Sequence, residues 1–353
     1  MVNFALLTFA LFMATCLHAA KGLEAMGPKT TSRQVITAFG SGKAGSTPRT
    51  ALITGASSGI GLQLAVDLAD CGFNVIAGVR DVERGREAIR SFVEESSQSG
   101  GPIEERIDVR KCDLSSLSSV EKFAKEVLTD YEKTPLDFVV YNAGVMATPK
   151  LSYTEDGFEK QIGVNHFGHA YLNQFLYEKL CKQDSKSRVV TLSSSAHGFG
   201  SIDLDNLHYR SSGRAYTPWG AYGQSKLANL LFAKGLANKL NEDGHASKIT
   251  SVSLHPGVIR TNLWRETPIK FGLFGALSDA VGFMDKTIAQ GAATSAWAML
   301  SPRIDLEAPS FQGAYLSDCG PAKPTNKQAY DDELIKKFWK RTEEELQAAS
   351  EGK

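Results

Sequence analysis

Short apolar runs and segments with helical spacing alternate along the chain from about residue 50 to about residue 320. The first run, TALIT, is followed by a glycine-rich turn, by the helix-like LQLAVDLADCG and by a second run, FNVIAGVR. Later apolar runs are VRKCDL, LDFVVYNAG, RVVTLSS, ITSVSLHPG and GAYLSD. Strands that alternate with helices form a parallel sheet with helices on its faces. The pattern therefore predicts one α/β domain, a Rossmann-type doubly wound parallel sheet with helices on both faces.

The segment before this body has a different pattern. Residues 4–17 read FALLTFALFMATCL, an uncharged apolar run, and the following residues are rich in Ser, Thr, Gly and basic side chains. A helix that spans a bilayer needs about 20 apolar residues, so the shorter run fits the core of a signal peptide better. We assign residues 1–49 to a signal, targeting or anchor segment, called the leader below.

Three destinations fit this leader. A cleaved signal would direct the protein to the endoplasmic reticulum or out of the cell, and a signal with a transit-like region would direct it to a complex plastid. An uncleaved signal anchor would instead associate the protein with the membrane of the endoplasmic reticulum. In that case Lys21, Lys29 and Arg33 would keep the following domain in the cytosol.

The other end of the chain predicts an amphipathic helix. Its pattern indicates a helix that docks on the body through Leu334, Phe338, Trp339 and Leu346. The predicted organisation is therefore the leader at 1–49, the α/β domain at 50–325 and a C-terminal helical extension at 326–353.

Charge and cysteine content narrow the function. The chain has 39 basic and 39 acidic residues, so it lacks the basic excess of a dedicated nucleic-acid binder. The zero sum hides an asymmetry, because the leader carries five basic residues and one acidic residue. The five cysteines form no CxxC pair and no cluster of metal ligands, so no metal site is predicted.

The first turn of the domain, TGASSGIG, predicts a dinucleotide site. Its glycines permit a tight turn, a close approach to a pyrophosphate and close packing of helix on strand. The helix that follows presents free N–H groups to a phosphate. The candidate contacts in this turn are Gly55, Ser57, Ser58, Gly59, Ile60 and Gly61.

The end of the second strand favours NADP(H) over NAD(H). Arg80 stands where NAD-binding folds usually carry an acid, and an arginine there can pair with the 2′-phosphate of NADP. Asp81 is the next residue, and its acidic side chain weakens the preference for NADP(H) that Arg80 indicates.

A tyrosine and a lysine form the candidate catalytic pair. Tyr222 and Lys226 are four residues apart on a predicted helix and so share one face. We expect the ammonium to lower the pKa of the phenol, which could then exchange a proton with a substrate oxygen. Ser194, at a strand end, could polarise that oxygen, and Ser193 is the alternative serine.

Seven motifs in order resemble the classical short-chain dehydrogenase/reductase family over about residues 48–320. They are TGASSGIG, CDL, NAG, Asn165, Ser194, YGQSK and HPGVIRT. The resemblance implies that Lys226 also binds the nicotinamide ribose and that Asn165 joins a water-linked proton relay to Lys226. It further implies cofactor contacts from Asp113, Leu114, Asn142, Ala143, Gly144, Pro256, Gly257, Val258 and Thr261.

Longer stretches such as SSSAHGFGSIDLDNL and YGQSKLANLLFAKGLANKL resemble the retinol-dehydrogenase-like branch. This branch includes Tic32-like chloroplast proteins and WW-domain oxidoreductases, and protochlorophyllide reductases are near relatives. The apolar residues within 262–286 predict a substrate lid and hence an apolar substrate, such as a retinoid, a steroid or a lipid-like aldehyde or ketone. Double-bond reduction and redox sensing with little turnover are the alternative functions. A homodimer is also compatible with the sequence.

Overall fold

Eight strands form one sheet in the computed structural model, which describes residues 26–40, 47–96, 103–259 and 286–351. The strands are β1 Thr50–Thr54, β2 Asn74–Val79, β3 Ile107–Lys111, β4 Phe138–Tyr141, β5 Ser187–Leu192, β6 Ile249–His255, β7 Ala314–Ser317 and β8 Gly320–Ala322. Their order is β3-β2-β1-β4-β5-β6-β7-β8. All neighbours are parallel except β8, which pairs with β7 in the antiparallel direction.

Helices cover both faces of this sheet. They are α1 Ser32–Phe39, α2 Gly59–Asp70, α3 Val82–Ser96, α4 Leu117–Asp130, α5 Lys160–Ile162, α6 Gly168–Lys182, α7 Pro218–Glu242, α8 Ile288–Leu300, α9 Pro302–Leu306, α10 Ala308–Phe311 and α11 Asp332–Glu351. One buried apolar cluster joins the sheet to α4, α6, α7 and α11, and a second joins it to α1, α2, α3 and α8. The predicted doubly wound α/β fold is confirmed, with β8 as an added antiparallel edge.

The strand order reverses between β1 and β4. The connection after β1 leads to β2 on one side of this pair, and the connection after β4 leads to β5 on the other side. Ile53 of β1 pairs with Ala77 of β2 on one side and with Val140 of β4 on the other. Ligands of open α/β sheets bind in the crevice at such a reversal, outside the carboxyl ends of the strands. The topology thus directs attention to the turns that follow β1 and β4.

Helix α1 lies inside the segment that we assigned to the leader, and it packs on the body. A capping box formed by Thr31 and Gln34 begins the helix. Val35 and Ile36 are fully buried in the cluster formed with α2 and α8. Ser32 Oγ donates a 2.5 Å hydrogen bond to Asp67 Oδ2 of α2. The folded unit therefore extends toward residue 26, whereas the apolar run at 4–17 lies outside the described residues.

The C-terminal helix α11 docks on α7. Phe338 and Leu346 are buried, and the ring of Trp339 stacks on Phe232 of α7 with 5.5 Å between the ring centroids. Leu334 packs against the same cluster. None of the helices within the described part of the chain is long and apolar enough to cross a membrane.

The helical segment that follows β4 is interrupted. Helix α5 passes into a π-helical turn at Gly163–Phe167 before α6 begins. Such turns insert an extra residue and redirect side chains, often at functional sites. Asn165, a predicted site residue, lies within this turn.

Loss of the α1 contact should destabilise the whole domain. We expect Ile36→Ala to reduce the free energy of unfolding by about 2–5 kcal/mol, because it leaves a cavity in a closed apolar cluster. Urea denaturation followed by circular dichroism measures this. Ala38→Gln, on the exposed side of α1, is the control and should change stability by less than about 0.5 kcal/mol. Equal stability of the two variants would mean that α1 does not dock in solution.

Candidate active site

The turn from β1 into α2 is shaped by glycines. Gly55 and Gly59 have φ angles of 71° and 57°, a region that L side chains rarely adopt. A Cβ atom on Gly61 would lie 2.4 Å from Asn142 Nδ2 and 2.5 Å from Gly55 O. Each glycine is therefore required by backbone conformation or by close approach, and the turn keeps its backbone open to a ligand.

An open cavity of about 440 Å³ lies over this turn. Fourteen of the predicted site residues line it: Gly55, Ser57, Ser58, Gly59, Ile60, Arg80, Asp113, Leu114, Asn142, Ala143, Gly144, Tyr222, Lys226 and Pro256. Gly61, Asn165 and Ser194 do not line the cavity, whereas Ser193, the alternative serine, does. Gly61 and Asn165 pack behind the cavity wall. Gly257 and Val258 follow Pro256 after β6, and Thr261 lies outside the described residues, as do residues 262–285 of the predicted lid. The glycine-rich turn and the residues that line the cavity fit a nicotinamide dinucleotide.

The far end of the cavity is basic. Arg80 and Arg84 both line it, and Arg84 was not among the predicted site residues. Asp81, the acidic residue next to Arg80, accepts a 3.1 Å hydrogen bond from Arg84 N with its Oδ1. It thereby stabilises the start of α3. On the opposite wall Asp113 Oδ1 accepts hydrogen bonds from Ser115, which fix its carboxylate toward its own turn. Two guanidinium groups therefore face this end.

Ser194 lies beside Tyr222, which lines the inner end of the cavity. The Ser194 hydroxyl is near enough to the phenol to act on its pKa, and Ser194 Oγ accepts from Ala196 N at 3.2 Å. Ser193, the alternative serine, instead donates from Oγ to Lys226 O at 2.7 Å. Of the two serines, Ser194 is thus the one whose hydroxyl lies with the tyrosine.

Lys226 is buried next to this pair without bonding the phenol. Its Nζ lies 5.7 Å from the centre of the Tyr222 ring and donates to Leu192 O at 3.1 Å. Burial lowers the pKa of Lys226 to about 8 and raises the pKa of Tyr222 to about 12, with the nearby Ser194 hydroxyl partly offsetting the rise for Tyr222. The prediction that Lys226 lowers the pKa of Tyr222 is therefore wrong for this arrangement. Tyr222 keeps its proton at neutral pH.

Asn165 holds the backbone next to the site. Its Oδ1 accepts from Val145 N at 2.8 Å, and its Nδ2 donates to Val145 O at 2.9 Å and to Ser225 Oγ at 2.8 Å. Its carbonyl oxygen bonds His169 Nδ1 at 2.9 Å. The π turn thus connects the loop after β4 with α7, whereas the proposed relay from Asn165 to Lys226 stays a prediction.

An apolar wall adjoins the Tyr222 phenol on the side away from the basic end. Met146, Ala147, Ala196 and Tyr222 form a small buried cluster of their own, against which Trp219 packs. The rings of Trp219 and Tyr222 meet edge to face, with 6.1 Å between centroids. A substrate that reaches Tyr222 from this side would therefore contact apolar surface.

The arrangement combines a dinucleotide cavity with a serine, a tyrosine and a lysine at its inner end. A model of the family described as short chain dehydrogenase matches residues 49–270. The chain belongs to the short-chain dehydrogenase family. This dehydrogenase is accordingly an oxidoreductase that depends on a nicotinamide cofactor and acts on a small molecule.

Similar proteins place this dehydrogenase in the retinol-dehydrogenase-like branch. Retinol dehydrogenase 13 of Homo sapiens is 36% identical over 294 residues, which cover 82% of each chain. The chloroplastic short-chain dehydrogenase TIC 32 B of Brassica napus is 37% identical over 294 residues, which cover 82% of this chain and 86% of the relative. A solved structure of an uncharacterized protein from Mycobacterium paratuberculosis has 33% identity and a TM-score of 0.63, and the match covers 85% of this chain and 93% of that one. The resemblance derived from the motifs is confirmed.

Several residues that shape the site were missed by the sequence analysis. Thr54 begins the glycine-rich motif but is not among its predicted contacts, which start at Gly55. Arg84 could have been found from its position one helical turn after Arg80. His169, Met146 and Trp219 carry no sequence signal of their own, because their importance comes from contacts made in the fold.

Removal of the buried lysine should stabilise the protein at neutral pH. The folded state disfavours the Lys226 ammonium, so between pH 8 and 10.5 the unfolded chain binds more protons and this group's contribution to stability rises with pH. We expect Lys226→Met to raise the free energy of unfolding at pH 7 by up to about 3 kcal/mol, with the gain fading near pH 10. Leu192 O keeps a partner in Asn229 Nδ2.

Urea denaturation at the two pH values measures this difference. Lys182→Met, which removes an exposed lysine paired with Glu178, is the control and should show no such pH-dependent gain. A Lys226→Met variant that is less stable than the original at pH 7 would contradict a net cost of burying the ammonium.

Proposed function

We propose that this dehydrogenase transfers a hydride between NADP(H) and the carbonyl or alcohol carbon of an apolar substrate. Retinoids, steroids and lipid-like aldehydes or ketones are the substrate classes in question. The observation that carries the proposal is the closeness of the Ser194 hydroxyl to the Tyr222 phenol, which lines the inner end of the cofactor cavity. It brings two hydroxyl groups together where one substrate oxygen can contact both.

In the reducing direction the nicotinamide supplies the hydride to the carbonyl carbon. Tyr222 Oη donates its proton to the carbonyl oxygen, for which the protonated phenol is the suitable form. Ser194 Oγ hydrogen-bonds the same oxygen and stabilises the charge that develops on it. In the oxidising direction Tyr222 takes the proton back, so the two residues serve both directions.

Lys226 and Asn165 act behind this pair. Lys226 binds the nicotinamide ribose, and its Nζ lies 5.7 Å from the centre of the Tyr222 ring. Asn165 keeps the loop after β4 in place and belongs to the route by which the proton is replaced. The glycine-rich turn and the turns after β3, β4 and β6 hold the remainder of the cofactor.

The basic end of the cavity supports NADP(H) as the cofactor. A 2′-phosphate would meet the guanidinium groups of Arg80 and Arg84, and charge-assisted hydrogen bonds of this kind are strong and directional. Asp81 is occupied with the start of α3 and so does not present an acid to the ribose. An apolar substrate is supported by the cluster around Met146 and Trp219.

The leader completes the proposal. Its residues before α1 carry the address, and similarity to a chloroplastic relative is compatible with a plastid as well as with the secretory pathway or a membrane anchor. Membrane association would then reside in the leader, and a homodimer would form through the described body.

Replacement of the tyrosine should stop the chemistry and spare cofactor binding. We expect Tyr222→Phe to lower kcat/KM by about 10²- to 10⁴-fold on a panel of aldehydes, ketones and alcohols, because the proton donor is lost. NADPH binding, measured by fluorescence titration, should change less than threefold. Tyr177→Phe, which removes an exposed phenol bonded to Asp243, is the control and should retain activity. Undiminished turnover in Tyr222→Phe would refute the mechanism.

Cofactor preference should depend on the first arginine. We expect Arg80→Ser to reduce the ratio of kcat/KM with NADPH to that with NADH by about 10- to 100-fold, since a hydrogen bond to a charged group contributes about 1.5–3 kcal/mol. Arg86→Ser, the control, alters α3 at an exposed position that pairs with Glu83 and should leave the ratio unchanged. Equal use of NADH and NADPH by the unaltered protein would overturn the assignment to NADP(H).

A further inference from the structure

A buried histidine lies directly beside the proposed catalytic serine. His197 belongs to the 3-10 helix Ser195–Phe199, for which Ser194 is the N-cap residue. Its side chain turns back, and His197 Nδ1 lies 2.6 Å from Ser194 O. The residue is only 2% exposed, so water does not compete for this contact. The SSSAHG motif thus contains a histidine with no role in the mechanism derived above.

The hydrogen bonds of His197 define its tautomer. Thr325 N, a backbone amide that can only donate, lies 3.1 Å from His197 Nε2. Nε2 must therefore accept, and in the neutral ring the proton is on Nδ1. His197 Nδ1–H consequently donates to Ser194 O, which makes the ring a bridge between two backbone groups.

Further contacts hold His197 and the end of its short helix in place. Asn326 Nδ2 donates to His197 O at 2.9 Å and to Gly200 O at 2.8 Å. The His197 ring also packs edge to face on Tyr315 of β7, with 5.0 Å between centroids. Two neighbouring residues after β8 therefore anchor the short helix that carries Ser194 at its start.

We propose that His197 is a positioning residue that fixes Ser194 for contact with Tyr222 and the substrate oxygen, an inference that rests on the proposed function. Ser194 Oγ already accepts from Ala196 N, and Ser195 N donates to His255 Nδ1 at 3.2 Å. These bonds hold the hydroxyl and the following amide, whereas the Ser194 carbonyl accepts from His197 N at 3.0 Å and, more closely, from the His197 ring at 2.6 Å. A displacement of about 1 Å of a reacting group can cost on the order of 10²-fold in rate.

The role is specific to the Nδ1 position of the ring. In an asparagine the side-chain amide nitrogen takes nearly the same place relative to the backbone as His Nδ1, so His197→Asn can still donate to Ser194 O. His197→Ala removes the side-chain donor and keeps the backbone bond from residue 197 to Ser194 O, so the comparison isolates the contribution of the ring. A merely structural role would make both variants alike in kcat, whereas positioning predicts that asparagine restores it.

Steady-state kinetics on the full chain tests this distinction. We expect His197→Ala to lower kcat by about 10- to 100-fold while KM for the substrate and Kd for NADPH change less than about threefold. His197→Asn should recover kcat to within about threefold of the unaltered enzyme. The control is His208→Asn, at a buried histidine whose Nδ1 accepts from Glu159 N and whose Nε2 contacts Glu345, and its kcat should stay within about twofold.

A second measurement does not depend on activity. In ¹⁵N-histidine-labelled protein without cofactor, the His197 ring should show a protonated Nδ1 and an unprotonated Nε2, its signals being those missing from His197→Asn. A proton on Nε2 would overturn the inference, as would a kcat for His197→Ala within twofold of the original. If Tyr222→Phe stays active, the proposed function fails. If Tyr222→Phe is inactive and His197→Ala is not impaired, only the role of His197 fails.

Discussion

The side chain of Thr54 joins the segments on which the site depends. At the end of β1 its Oγ1 accepts from Asn142 N at 3.0 Å and from Ala143 N at 3.1 Å, and it contacts His169 Nε2 at 2.8 Å. His169 continues to the carbonyl of Asn165 in the π turn. One buried hydroxyl thus ties the glycine-rich turn, the turn after β4 and the start of α6. Because buried polar groups are costly unless they are bonded, this network holds the three segments in one arrangement.

The same burial sets the chemistry of the inner end of the cavity. Tyr222 and Lys226 come from one buried face of α7, so both lose water, and loss of water shifts their pKa values in opposite directions toward the neutral forms. The phenol therefore keeps its proton and can donate it, and the Lys226 ammonium loses its proton more readily than an exposed lysine does. Burial of these two groups lowers the stability of the fold, as is common where a protein needs desolvated groups at its site.

The sequence predicted the parts of this molecule that depend on local pattern. The glycine positions, the alternation of strands and helices and the i, i+4 spacing of Tyr222 and Lys226 all follow from short-range rules, and together they indicated the fold. The choice between Ser193 and Ser194, the direction of the Tyr222 pKa shift and the π turn depend on which groups become buried together. Such information arises only when distant segments pack, which is why the bridge from His197 to Thr325 has no counterpart in any local motif.

The packing of α1 has a consequence for the order of events during synthesis. This helix rests on α2 and on α8, so its two supports are separated by more than two hundred residues of chain. Gln290 Nε2 even donates to Lys29 O, between the start of α8 and the residues just before α1. While the chain is still emerging from the ribosome, half of this docking surface does not yet exist. The residues around α1 therefore remain exposed until nearly the whole domain has been made, and folding then buries α1.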